Sequence, residues 1–88
     1  MNNNELLKRA SKSESADYFK NWSSQDRRTA FFEAFGRYVK EPSRRDFVTI
    51  YHIMLWAEHD DKALAITISD TFKWAKLSFY EEYGRWFQ

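Results

Sequence analysis

The chain contains no cysteine. A disulfide framework and a thiolate metal site are therefore excluded, and a reducing compartment, the cytoplasm, is the expected location. Two glycines and one proline are all the chain breakers it has. With no Asn-Gly or Asp-Gly pair either, the turn chemistry of an all-β fold is missing. No apolar run approaches the ~20 residues of a membrane span, and no apolar signal segment follows Met1. Charge of one sign is also scarce. Fourteen Lys and Arg stand against 13 Asp and Glu, for a formal +1, a weak balance for a dedicated nucleic-acid binder. Gly-rich phosphate loops, paired carboxylates in apolar surroundings and a supported Ser/His/Asp set are all absent. No catalytic residue, cofactor or small-molecule substrate is expected, and an enzyme is the least favoured class.

Aromatic residues are abundant. Eight Phe, five Tyr and four Trp make up 19% of the 88 residues. Each one buried removes roughly 150–250 Å² from water, so a short chain can still build a core of large pieces. The length is that of one domain, 1–88, with residues 1–14 expected to fray. Residues 1–45 hold ten Lys and Arg against six Asp and Glu, and residues 46–88 hold four against seven. This mild bipolarity suits two halves that attract within one fold. Short, motif-free helical chains of this composition are common among phage and mobile-element reading frames.

The punctuation reads as helix starts. Asn4 can cap a short helix towards Lys12, and Ser15 a second short segment presenting Tyr18, Phe19 and Trp22. Ser23 with Asp26 begins a helix to about Lys40 whose Phe31, Phe32, Phe35, Tyr38 and Val39 fall within about 120°. Pro42 ends it, and Ser43 with Asp46 repeats the start. From Arg44 to about Glu58 the pattern is apolar nearly all round, as in a helix central to its domain. Asp60 or Asp61 caps the last segment, where Leu64, Ile68, Phe72, Ala75, Phe79 and Trp86 stay within about 80° of one another. These patterns predict an all-α fold, a small helical bundle of three main helices plus one or two short N-terminal helices.

Four constellations bear on function. Arg27-Arg28 and Arg44-Arg45 each fall in a first helical turn, where guanidinium groups beside free N–H groups can bind phosphate. They carry the alternative reading, a nucleic-acid-binding accessory protein. A helix-turn-helix about Pro42 is disfavoured, because its second helix offers few base-reading side chains. His52 and His59, seven residues apart, are too distant to share a metal without a closing loop, so no metal site is expected.

The fourth constellation is the most informative. Arg45, Thr49, His52, Trp56 and His59 form one stripe on the most apolar helix, and Ile66, Trp74 and Leu77 lie off the core side of the last one. If helical throughout, Lys62 to Phe87 would run about 39 Å, longer than the roughly 30 Å diameter of such a domain. It must bend near Tyr80–Gly84 or project an aromatic end. The expected function is therefore a small non-catalytic protein-interaction module, a regulator, inhibitor or adaptor. Its interface is expected at Trp56, Ile66, Trp74, Leu77, Tyr83, Trp86 and Phe87, with a protein partner or a second copy of the chain as a homodimer.

Overall fold

Each α-helix starts at a polar side chain that accepts a hydrogen bond from an otherwise unpaired N–H three residues on. The computed structural model describes residues 2–88, and these caps are Asn2, Ser23, Ser43, Asp61 and Ser78. They open α1 (Asn3–Ala10), α2 (Ser24–Lys40), α3 (Arg44–Asp60), α4 (Lys62–Trp74) and α5 (Phe79–Phe87), with a 3-10 turn at Ala16–Phe19. The described residues contain no strand. Capping of this kind contributes about 1 kcal/mol per helix.

The all-helical reading holds, and α3 is central. It packs against α2, α4, the 3-10 turn and α5. Phe47, Ile50 and Ile53 on it are fully buried. Around them close Phe31, Tyr38, Leu64, Ile68 and Phe72, with Phe19 from the N-terminal segment. Burial of each such side chain stabilises by roughly 1.5–3 kcal/mol. Residues 3–10 form a regular helix with Leu6, Leu7 and Ala10 buried.

Two expectations about helix faces need correction. On α2, Phe32 and Val39 lie outside the core and are 42% and 51% exposed. The buried face instead holds Arg27, Ala30, Phe31, Ala34, Phe35 and Tyr38. Ala30 and Ala34, both fully buried, place that face away from Phe32 and Val39.

The second correction concerns the last segment, which is two helices and not one. α4 ends at Trp74, and Lys76 adopts a left-handed φ of 61°. Leu77 N–H bonds to Phe72 O at 2.8 Å and Lys76 N–H to Lys73 O at 2.9 Å, the paired bonds of a Schellman ending. Ser78 then caps α5, accepting from Glu81 N–H at 3.3 Å. The break falls before the expected bend, and the chain stays within 30 × 25 × 23 Å. The aromatic end folds back onto α3 and does not project. Tyr38 ties it down, accepting from Trp86 Nε1 at 2.7 Å and donating to the Glu82 carboxylate.

Candidate functional site

The stripe on α3 lies beneath the N-terminal segment. Ser13, buried, shares a 2.8 Å hydrogen bond with His52 Nδ1. Arg45 donates to Ser13 O at 2.9 Å, and Thr49 donates to Arg45 O at 3.1 Å within its own helix. Burial holds the His52 imidazole below its ordinary pKa, and the Arg45 cation adds to this. Trp56 is only 9% exposed, with the Arg27 guanidinium 5.5 Å from its ring centroid and His59 edge-on at 5.5 Å. Its indole N–H meets no acceptor among the described residues. Trp56 is thus core, and the stripe does not face outward as one surface.

The four arginines serve the fold in different ways. Arg27 is buried, donating to Phe19 O at 3.0 Å and Trp22 O at 2.7 Å. The Phe19 carbonyl also accepts from Trp22 N–H at 3.1 Å, so the guanidinium adds a second donor there and satisfies the Trp22 carbonyl, which gives the buried cation two acceptors. Arg28 is half-buried. It and Arg27 help to hold the Asp61 carboxyl below its usual range, a shift owed first to the hydrogen bond from Ser24. Arg44 lies over the Phe87 ring at 5.1 Å, while Arg45 is committed to Ser13. Arg27 and Arg45 therefore point to internal acceptors, and the two pairs do not form one basic cradle.

At the C-terminus, Tyr83, Trp86 and Phe87 are half-buried and pack onto the core. Tyr51 joins two of them, with ring centroids 5.3 Å from Tyr83 and 5.5 Å from Phe87, while Trp86 packs on Tyr38. An open cleft of about 310 Å³ remains between α3, α4 and α5, lined by Tyr51, Met54, Leu55, Phe79 and Tyr80 with Glu58 at its edge.

Tyr80 at this cleft is 86% exposed, and a second uncovered apolar surface lies where α2 runs beside α4. Trp74 is 87% exposed. With Phe32, Phe35, Thr67, Asp70 and Thr71 it borders an open groove of about 480 Å³, floored where Phe35 meets Phe72 edge-on at 5.1 Å. Ile66, 63% exposed, lies one helical face over on α4. Further along α2, Val39 joins Pro42, Ala75 and the half-buried Leu77 around a smaller hollow of about 150 Å³. Gly36 sits between Phe32 and Val39, and a Cβ placed there would meet nothing within 4 Å.

Of the expected interface residues, Ile66, Trp74 and Leu77 fall on or beside this face. Trp56, Tyr83, Trp86 and Phe87 belong to the core and its margin. Phe32, Gly36 and Val39, on the exposed side of α2, were not among the expected residues. Gly36 carried a signal, an isolated glycine within a helical pattern, but only the burial of Ala30 and Ala34 shows which way its side of α2 faces.

The chain matches no known family model, no curated protein and no solved structure.

Proposed function

We propose that the protein is a small non-catalytic protein-interaction module, built on a helical bundle, whose docking face is the α2/α4 surface around Trp74. The observation that carries this reading is the exposure of Trp74, 87%, beside the partly exposed Phe32 and Val39. A solvated indole of this extent has no role in the protein's own packing. Large apolar side chains grouped beside an open groove are what a partner's surface covers, and Trp is among the residues richest in binding energy at such contacts. A regulator, inhibitor or adaptor acts through a face of this kind. The nucleic-acid alternative draws less support, since Arg27 and Arg45 spend their donors on the protein's own carbonyl groups.

Co-purification of the tagged protein from its native cells, with and without nuclease, tests the reading. A protein partner that survives nuclease and is lost on Trp74→Ala is the expected result. A partner retained by Trp74→Ala overturns this choice of face, and one that vanishes with nuclease favours the nucleic-acid alternative.

A further inference from the structure

Glycine inside an exposed helix is destabilising, by roughly the largest propensity penalty of any residue other than proline. At Gly36 the fold does not explain it. The residue lies in the middle of α2, opposite the buried face, in open space and with no positive φ. A bare stretch of backbone there is useful where another backbone comes close, since a Gly at the crossing point lets two helix axes approach at the short end of the 8–10 Å range.

The residues around Gly36 are complementary to themselves. On a helical wheel with Gly36 at the origin, Phe32 (four back) and Val39 (three on) fall on the same side, at about −40° and −60°. Glu33 (three back) and Lys40 (four on) fall together on the other side, at about +60° and +40°. Crossing two copies of α2 antiparallel, with a two-fold axis at Gly36, keeps each side and exchanges the direction. Phe32 of each copy then meets Val39 of the other, and Glu33 of each meets Lys40 of the other. Phe32 and Val39 are solvated, Lys40 is exposed, and Glu33 is half-buried with Oε1 accepting from Asn3 at 3.0 Å.

We infer that the first occupant of this face is a second copy of the same chain, paired antiparallel along α2 with Gly36 at the crossing. The inference rests on the reading of the α2/α4 surface as a docking face. Closed two-fold pairs are the commonest oligomers, and they require a patch that complements itself. Phe32, Val39 and Trp74 together expose on the order of 400 Å² of apolar surface, about half of the ~800 Å² each partner gives to a stable interface. Glu33, Lys40 and the polar neighbours Gln25 and Arg28 supply a rim. The pair is accordingly reversible, and the charge contacts set its register and direction more than its strength.

Sedimentation of the wild type between about 1 and 200 µM should show a monomer–dimer equilibrium. Gly36→Gln should weaken association at least tenfold while raising the thermal midpoint of the dilute monomer by roughly 4–8 °C, since helix propensity improves and nothing in the monomer is displaced. Glu33→Lys alone and Lys40→Glu alone should each reduce association, and an equimolar mixture of the two should restore it, because each mixed pair regains both opposite-charge contacts. A wild type that stays monomeric at 200 µM overturns the inference. So does a dimer indifferent to Gly36→Gln, or single-charge variants that do not recover on mixing. If the wild type is monomeric yet a co-purifying protein is lost on Trp74→Ala, the self-pairing falls and the docking face stands. If neither association occurs, both fall.

Discussion

Trp56 and Trp74 sit on adjoining helices, each placed by helical periodicity on a side with polar residues, yet one is 9% exposed and the other 87%. The difference lies in what crosses over them. Residues 11–22 lay Ser13 and Phe19 across α3, and Arg27 fastens that segment by its carbonyls next to Trp56. No corresponding segment crosses α4, which α2 approaches only loosely, with a groove between them. A polar stripe carrying a tryptophan is therefore not in itself a surface. It becomes one only where no other described segment crosses it.

The strongest way to break the contrast is to remove the cover. Phe19 is fully buried between the N-terminal segment and α3. Phe19→Ala should cost about 3–5 kcal/mol in urea unfolding, a large part of a small domain's stability. Any folded fraction should show red-shifted tryptophan emission as Trp56 becomes wet. A loss below about 1 kcal/mol would mean that the cover contributes little and the two tryptophans differ less than their exposure suggests.

A smaller effect should come from pH, through the same cover. The folded chain binds a proton on His52 less readily than the unfolded chain, because burial and then Arg45 lower its pKa. Its contribution is thus full above the ordinary histidine value of about 6.5, falls as the pH drops below that, and levels off once the pH is below the folded value. The urea midpoint should be lower at about pH 5.5 than at about pH 7.5. His52→Gln should shrink that difference, and an unchanged difference would place the sensitivity in the carboxylates.

The smallest effect is expected at Trp74. Trp74→Ala should leave stability within about 0.5 kcal/mol of wild type, as for surface substitutions away from special features. A loss of 2 kcal/mol or more would show that the indole supports the fold and would erase the contrast with Trp56.

Much of the architecture was legible because it is written in local chemistry. Ser23 with Asp26, Ser43 with Asp46 and the Asp60-Asp61 turn mark helix starts by the same hydrogen bond the structure shows. The break before α5 carried an equal mark, Ser78 with Glu81, but the unbroken apolar stripe from Leu64 to Trp86 obscured it. That stripe is real. It continues through a turn because the core lies on the same side of both helices. The left-handed residue at the turn had no such mark, since Lys76 occupies a place that glycine fills more readily.

The candidate face was half legible. Trp74 and Ile66 could be placed off the core side of their helix from periodicity alone, whereas Phe32 and Val39 were assigned to the wrong side of theirs. Large apolar residues outweigh alanine on any wheel, yet on α2 Ala30 and Ala34 are fully buried while Phe32 and Val39 are exposed.

The sequence by itself determined the helical class, the caps at Ser23, Ser43 and Asp61 and the central place of α3, because each depends on residues a few positions apart. The first helix, by contrast, is capped by Asn2 and not by the expected Asn4, and Ser15 makes no side-chain cap bond. Only the tertiary structure decided which aromatic surface is covered and which is left open. That depends on where residues 11–22 come to rest, how closely α2 approaches each neighbour and where α5 folds back. Those are contacts between distant segments, settled by volume and by the pairing of buried polar groups across the whole core.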